Sequence, residues 1–221
     1  MGGAKYPALW APKKVCCDHD GTLWPGYFSG LEKLHTANII NSVDDIGQIT
    51  LRDPGLWQRR GEKIIAESMV AGSSLRIAEE MAHFHLQFKV RLSSARCAGA
   101  VLRAEGTEKG VHVLLDAEQG QIQIGSASDY HGHSGQFKKA TVGWTLKMFD
   151  NFKCPIHRDT DYYIRCFACN EHLEVYLDDR WVFSTVFEDH PMPEQGAIEL
   201  TIEAGQAEFS DIRLVEIEAM S

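Results

Sequence analysis

Apolar and polar positions alternate most clearly near the end of the chain, over residues 162–169, 172–177 and 181–187. A period of two residues is typical of a β-strand with one face buried. The breaks between these stretches, residues 170–171 and 178–180, contain Asn and Asp, which tolerate the backbone geometry of tight turns. Strands joined by such short turns run antiparallel, because a parallel crossover needs about a dozen residues or more. Three consecutive antiparallel strands are therefore predicted.

Two further strands follow a proline-rich corner and cover residues 197–204 and 207–217. In the first of them apolar and polar residues alternate strictly: Ile198, Leu200 and Ile202 are apolar, and Glu199, Thr201 and Glu203 are polar. This alternation is typical of an antiparallel strand with one face in the core and the other in water. We therefore expect the two acids and the threonine to face solvent.

The middle of the chain shows the same period. Residues 83–92 alternate over a long stretch, which predicts a half-buried strand with His83 and His85 in surface or supporting positions. Shorter strands are predicted over residues 74–78, 98–103, 111–116, 121–125 and 140–147. Residues 64–71 could form a helical turn that ends at Gly72, but a strand is favoured there too. Many short alternating strands without intervening helices are typical of an antiparallel sandwich or barrel, so the predicted fold class is all-β.

The first forty residues carry two local signals. Asp20-Gly21 is a strong turn signal, which predicts a hairpin flanked by Val15 and Leu23. Ser29 and Glu32 have the spacing of a capping box, which predicts a short helix over residues 30–37. For a chain of 221 residues we expect a leader or linker over residues 1–30, with a possible hairpin, and one β-sandwich domain over residues 31–221.

Composition and net charge indicate which kinds of molecule the chain could bind. With 44% hydrophobic and 24% charged residues the chain has an ordinary globular composition. The formal net charge of −9 argues against nucleic acid and anionic membranes, because lysine and arginine drive binding to phosphates. No apolar run approaches the roughly 20 residues of a membrane helix, and no signal-peptide pattern opens the chain. We expect a cytoplasmic location, or an extracellular one if the chain is cut from a longer precursor, and a neutral partner such as a sugar or a protein.

The cysteines contain one formal C-x-x-C pair, Cys166 and Cys169. On a strand, residues three apart point to opposite faces, so this pair cannot converge on a metal or form a redox couple. Free cysteine commonly acts as a small buried hydrophobe. We therefore predict packing roles for this pair, and no metal or cofactor.

The loop at residues 128–135 has the composition of a binding site. It contains His131 and His133 near an aspartate, as in metal sites, and Tyr130, whose ring can stack on a sugar. A His-x-His pair in a loop has no fixed geometry, and no third ligand supports it, which favours a polar loop. Tyr130, His131 and His133, together with Trp144 and Trp181, are the sugar-binding candidates, although large aromatics in a sandwich more often pack in the core.

Three stretches carry a family resemblance: Trp-Ala-Pro-Lys-Lys-Val at residues 10–15, Asp-His-Asp-Gly-Thr-Leu at 18–23 and Leu-Glu-Lys-Leu at 31–34. This order resembles the junction that follows the catalytic propeller in glycoside hydrolases of family 32, the invertase and levanase type. Residues 173–179 and 207–214 look like the closing strands of the C-terminal sandwich of that family, and of concanavalin-A-like or jelly-roll sandwiches generally. The resemblance implies an accessory module that packs against a catalytic domain or holds carbohydrate.

The catalytic motifs of that family lie on a propeller that this chain is too short to contain. Arg52-Asp53-Pro54 matches one of them by letters, but it falls after the junction and is read as a turn. A stand-alone glycan hydrolase is the alternative, because residues 199–203 resemble the Glu-x-Asp-x-Glu strand of laminarinase-type glucanases with Thr201 at the centre. Its catalytic candidates are Glu199 and Glu203. A protein-interaction sandwich, with a possible homo-oligomer, is the third hypothesis.

Overall fold

The computed structural model describes residues 12–46, 50–51, 56–68, 72–105, 109–127, 146–186 and 193–219. Over these residues the chain forms two antiparallel sheets and two short 3-10 helices. None of the helices in the described residues is long and apolar enough to cross a membrane.

The seventeen described strands are, in chain order, β1 (Lys14–Cys17), β2 (Leu23–Gly26), β3 (His35–Ile40), β4 (Thr50–Leu51), β5 (Leu56–Arg60), β6 (Lys63–Ser68), β7 (Ser73–Met81), β8 (Phe84–Leu92), β9 (Cys97–Glu105), β10 (Lys109–Asp116), β11 (Gln121–Ala127), β12 (Leu146–Lys153), β13 (Asp161–Cys169), β14 (His172–Leu177), β15 (Arg180–Val186), β16 (Gly196–Glu203) and β17 (Gly205–Ile217). Sheet A has ten strands in the order β1-β2-β15-β14-β13-β8-β17-β6-β5, with β3 also paired to β17. Sheet B has seven strands in the order β12-β11-β10-β9-β16-β7-β4. The all-β fold class predicted from the alternation is confirmed.

The antiparallel run β13-β14-β15 forms as the sequence predicts. Asn170 in the first turn has φ 50°, and Asp178 and Asp179 in the second have φ 50° and 63°. Asn and Asp tolerate this left-handed region better than most residues, which is why the chain reverses at these points. The hairpin expected between Val15 and Leu23 is also present, as the pair β1-β2.

The main core lies between the two sheets. Leu200 of sheet B and Phe209 of sheet A are both fully buried in one large apolar cluster. The Trp57 ring stacks on Phe209 with centroids 5.8 Å apart, and Trp57 Nε1 donates to Ser73 Oγ at 2.8 Å. Cys166 belongs to this core, whereas Cys169 packs in a separate cluster on the other face of sheet A. The prediction that the two cysteines face opposite ways is thus confirmed.

The predicted helix over residues 30–37 is only partly right. A 3-10 helix spans Ser29–Leu34, Phe28 stands at its N-cap without a side-chain cap, and β3 begins at His35. The helix is short because the chain from His35 onward pairs with β17, where Ile217 is the partner of His35. The second 3-10 helix, Val43–Asp45, does have a capping box, formed by Ser42 and Asp45.

A second apolar cluster covers the outer face of sheet A. Tyr27 and Leu31 from the N-terminal segment pack there against Phe167, Tyr176 and Ile217. Residues before 30 therefore contact the sandwich directly, and the domain boundary at residue 30 stays a prediction.

In two strands predicted to have one face in water, that face is partly buried in β8, where Lys89 and Arg91 stay half-exposed, and wholly buried in β16. In β8, His85 is 0% exposed, so a surface position for it is wrong. In β16, Glu199, Thr201 and Glu203 are only 4%, 1% and 2% exposed, so the expectation that they face water is also wrong. The reason for β16 is its place in the sheet, between β9 and β7, with arginines paired to both acids. Alternation reports which residues face the main core, but it does not report what covers the other side.

Candidate functional site

The outer face of sheet B, away from the main core, gathers polar side chains from five adjacent strands. The strand register places the side chains of this face in three rows, in which apolar residues stand among the polar ones. Two rows cross β7, β16, β9, β10 and β11: Arg76, Glu199, Val101, His112 and Gly125; and Ser74, Thr201, Gly99, Leu114 and Gln123. The third row crosses β16, β9, β10 and β11 with Glu203, Cys97, Asp116 and Gln121, and β12 extends it with Lys153. Each residue alternates with one that points into the core, which is why all of them share this face. We call this surface the sheet B face.

At one end of the sheet B face, Arg76 neutralises Glu199. Its Nε and Nη2 atoms both lie 3.3 Å from Glu199 Oε1, and Arg76 Nη1 lies 2.6 Å from Glu79. Arg76 and Glu199 are direct cross-strand partners in β7 and β16. A charge as deeply buried as Glu199 needs such a partner, because an isolated buried charge is strongly unfavourable.

His112 lies in the same row as Glu199, two strands away, with Val101 between them. Burial lowers the pKa of the His112 imidazole to about 4. The ring is therefore neutral near pH 7 and carries one donor and one acceptor nitrogen. A neutral ring of this kind suits hydrogen bonding rather than charge recognition.

At the other end, Glu203 forms an ion pair with Arg96 through Oε2. The second carboxylate oxygen, Oε1, is buried and has no hydrogen-bond partner among the described residues. Cys97 lies next to Glu203 on β9. Burial, and then the charges of Asp116 and Glu203, raise the pKa of its thiol, so Cys97 is not a nucleophile near pH 7.

Asp116 organises the turn between β10 and β11. Its Oδ1 accepts hydrogen bonds from the backbone N–H groups of Glu118 and Gln119 at 2.9 and 2.8 Å, and its Oδ2 accepts one from Gln123 Nε2 at 2.8 Å. Gly120 closes the turn with φ 61°. Asp116 thus holds the turn and fixes the Gln123 amide in the middle row.

The centre of the sheet B face has small residues on β7, β16 and β9. Ser74 Oγ donates to Thr201 Oγ1 at 3.1 Å, and Thr201 Oγ1 donates to the Ser73 carbonyl at 3.2 Å. Gly99 lies beside Thr201, and a Cβ added to it would lie 2.0 Å from the Val113 carbonyl oxygen. Glycine therefore lets β9 approach β10 closely at this point.

The catalytic candidates Glu199 and Glu203 lie on this face, four residues apart on a strand whose register is regular between them. Four residues of strand span about 13 Å, whereas paired glycosidase carboxylates lie about 5–9.5 Å apart. Each is also held by its own arginine. This geometry does not favour joint action of the two acids in hydrolysis.

Four sugar-binding candidates, Tyr130, His131, His133 and Trp144, lie outside the described residues, as does the Arg-Asp-Pro match at 52–54. The four belong to the segment that connects β11 to β12, and the residues that flank it, Ala127 and Leu146, are strand partners at the edge of sheet B.

Trp181 lies on the opposite side of the sandwich from the sheet B face. It packs against the cluster on the outer face of sheet A, and its Nε1 is buried without a hydrogen-bond partner among the described residues. The structure therefore does not bring Trp181 together with Glu199 and Glu203.

Sequence reasoning missed most of the polar residues of this face: Arg76, Arg96, His112, Asp116, Gln121 and Gln123. They come from strands far apart in the chain, and only the spacing of Asp116 and Gly120 gives a local turn signal. Within the described residues, no group of three or more His, Cys, Asp or Glu side chains is placed to hold a metal ion.

Comparison with known proteins adds evidence on the fold. No family model matches the chain, and no curated protein matches it significantly. Among solved structures, the carbohydrate-binding module CBM66 from Bacillus subtilis superposes with a TM-score of 0.62 at 17% identity, over 76% of this chain and 95% of that one. A Bacillus subtilis protein of unknown function with a galectin-like fold gives 0.61 at 10% identity, over 84% and 99%.

The exoplasmic/lumenal domain of VIP36, in its Ca²⁺/Man3GlcNAc-bound form, gives a TM-score of 0.56 at 10% identity, over 83% of this chain and 90% of that one. At these identities the likeness concerns the fold. The chain is an antiparallel β-sandwich of the galectin-like and concanavalin-A-like kind.

Proposed function

We propose that this chain is a carbohydrate-binding module and that the sheet B face is its sugar-binding surface. The observation that carries the proposal is the set of three rows on the face that points away from the main core, in which polar side chains are the majority. Most side chains of these rows are buried, so a sugar would contact the partly exposed Arg76, Arg96 and Gln123, with the exposed Lys153 at the edge. The fixed donors and acceptors of these side chains suit the hydroxyl groups of a sugar. The fold likeness to a carbohydrate-binding module and to a domain bound to Man3GlcNAc supports the same class of ligand.

The charges of the face favour a neutral sugar. Glu199 is compensated by Arg76 and Glu203 by Arg96, so neither acid is an uncompensated charge that would select a cationic ligand. The partly exposed amide of Gln123 has both a donor and an acceptor group. The net charge of −9 further disfavours phosphorylated ligands.

More specifically, we propose that the module is an accessory domain of a glycoside hydrolase of the family 32 type and packs against its catalytic domain. This role is supported by the resemblance of residues 10–15, 18–23 and 31–34 to the junction after the propeller of that family. The wide spacing and arginine pairing of Glu199 and Glu203 agree with a module that binds without hydrolysing. Proteins with the same fold can have unrelated functions, so sugar binding must be tested directly.

The test is a glycan-array screen run beside a reducing-end assay on fructans and β-glucans. We expect binding to at least one neutral glycan without turnover. Gln123→Ala and Trp144→Ala should each weaken binding at least tenfold, while Trp181→Ala, on the opposite sheet, should bind like the parent. No binding to any glycan, or loss of binding only in Trp181→Ala, would contradict the proposal. Turnover that is abolished by Glu203→Gln would instead support the hydrolase alternative.

A further inference from the structure

The β1-β2 hairpin exposes an apolar face at the edge of sheet A. Val15 pairs with Pro25 and Cys17 with Leu23, so the side chains of these four residues share one face of the hairpin. All four are exposed. Val15 and Leu23 are 71% and 67% exposed and are the most exposed large hydrophobic residues in the described chain. We call this surface the hairpin apolar face.

The same hairpin has an open backbone edge. β1 is the terminal strand of sheet A, and among the described strands only β2 pairs with it. An edge strand presents a row of backbone N–H and C=O groups that can pair with another strand. Apolar side chains beside such an edge favour pairing over solvation.

Both ends of β1 are held in place. Lys13, just before the strand, lies 2.5 Å from Glu174, and Asp18, just after it, lies 2.8 Å from Arg180. Trp24 Nε1 on β2 donates to Asp18 Oδ1 at 2.7 Å, and the Arg180 guanidinium stacks on the Trp24 ring at 4.8 Å. The edge is therefore presented in a fixed conformation, which lowers the entropic penalty of binding.

We infer that the partner of this edge is a second copy of the chain, with β1 paired antiparallel to β1 across a two-fold axis. The charge pattern of the strand is self-complementary, because it begins with Lys14 and is followed by Asp18. A two-fold axis at Cys16 places Lys14 opposite Asp18 of the second copy, twice. Opposite charges directly across an antiparallel pair are favourable, which selects this register. The Asp18 side chain is still 35% exposed and can accept this further contact.

In this register Val15 lies opposite Cys17 of the second copy, and the two hairpin apolar faces join into one strip. Sheet A then continues across the axis from one copy to the other. A four-residue strand pairs over a small area compared with the roughly 1,600 Å² of a standard interface. We therefore expect a weak dimer with a dissociation constant on the order of 10–100 μM.

Disulfide formation through the two cysteines of β1 can reveal the register between the two copies. Cys16 lies on the axis, so the two Cys16 Cα atoms are about 4.5–5.5 Å apart, within disulfide range. The two Cys17 residues lie diagonally, with Cα atoms about 7–8 Å apart, beyond that range. Under mild oxidation with copper phenanthroline, Cys17→Ser should form a covalent dimer at least tenfold faster than Cys16→Ser. The double variant Cys16→Ser/Cys17→Ser is the background for the remaining cysteines.

Sedimentation equilibrium between 5 and 500 μM tests the association itself. Lys14→Glu places two acids opposite each other and should weaken dimerisation at least fivefold. Lys33→Glu changes the net charge equally at an exposed position away from β1 and should leave the dimer unchanged. A monomer at every concentration, equal cross-linking through Cys16 and Cys17, or a dimer insensitive to Lys14→Glu would each overturn the inference. The inference does not depend on sugar binding.

Discussion

The Nζ atom of Lys13 lies 2.5 Å from Oε1 of Glu174, a fully buried carboxylate on β14. Tyr176 also donates to this carboxylate, from its hydroxyl to Oε2 at 2.7 Å. This ion pair joins the segment before β1 to the middle of sheet A. It also lies beside the second apolar cluster, to which Tyr176 belongs, so it holds the N-terminal segment over the outer face of that sheet.

Replacing Lys13 with Met should lower the free energy of unfolding by about 3 kcal/mol, because it leaves a buried carboxylate without its cation. Urea unfolding followed by circular dichroism measures the change, at a protein concentration well below the dissociation constant of the proposed dimer. Lys14→Met is the matched control, since Lys14 is exposed, and it should change stability by less than about 0.5 kcal/mol. Equal effects of the two substitutions would show that the Lys13–Glu174 pair does not stabilise the fold.

Stability should fall as the pH falls from 6.5 towards 4. Burial lowers the pKa of His112 to about 4 and that of His85 well below its usual 6.5. In this window the unfolded histidines bind protons that the folded ones do not, so unfolding is favoured by up to about 1.4 kcal/mol per pH unit for each group. Urea unfolding at pH 7.5, 6.5, 5.5 and 4.5 checks this.

His112→Gln isolates the part of the pH effect that belongs to sheet B. The variant should show a shallower fall in stability between pH 6.5 and 4 than the parent. Above pH 6.5 the two slopes should be the same, because the histidine is neutral in both the folded and unfolded states. An unchanged slope at acid pH would mean that His112 titrates alike in both states.

Arg103 holds three loops at one end of the sandwich. It is buried, its Nη1 donates to the carbonyls of Asn170 and Pro193 at 2.7 and 3.1 Å, and its Nη2 donates to the carbonyl of Ala82. Arg103→Met should lower the free energy of unfolding by about 3 kcal/mol, since it leaves these carbonyls without the donor.

Arg103→Lys should recover little of that loss, because an ammonium group cannot spread its donors as a guanidinium does. Arg158 provides the control. It makes one long hydrogen bond to the Ser94 carbonyl, 3.4 Å, at the surface, and Arg158→Met should change stability by under about 0.5 kcal/mol in the same urea titration. Full rescue by lysine would contradict the assigned role.

Gly99→Ala should destabilise the sandwich, because its Cβ would meet the Val113 carbonyl oxygen at 2.0 Å and force β9 away from β10. We expect a loss of about 2 kcal/mol or more and a lower thermal midpoint. Gly30→Ala is the control: the atoms its Cβ would meet belong to the half-exposed Phe28 ring, which can move. A thermal midpoint for Gly99→Ala equal to that of the parent would rule out this tight contact.

The strands of the C-terminal half were predictable because their signals are local. Alternation marked β13 to β17, and Asn170, Asp178 and Asp179 marked the reversals between β13, β14 and β15. The short helix was misjudged because the pairing of His35 with Ile217 depends on a strand far along the chain. Whether the helix continues at His35 or β3 begins there depends on this pairing in the assembled sheet.

The candidate site was less predictable for the same reason. Glu199 and Glu203 attracted attention as a local motif, but their partners Arg76 and Arg96 come from distant strands. Burial of both acids could not be read from alternation, which concerns only the side facing the main core. His85 shows the same effect in sheet A, where residues of the N-terminal segment cover it.

By itself, the sequence determined the all-β class, the antiparallel run of closing strands and the split of Cys166 and Cys169 to opposite faces. These follow from the two-residue period and from turn residues, both of which are local properties of the chain. Tertiary structure alone decided the strand order, the burial of His85 in β8 and of both faces of β16, and the gathering of polar side chains on sheet B. The physical reason is that the register between strands far apart in the chain decides which side chains become neighbours, and no local pattern encodes that register.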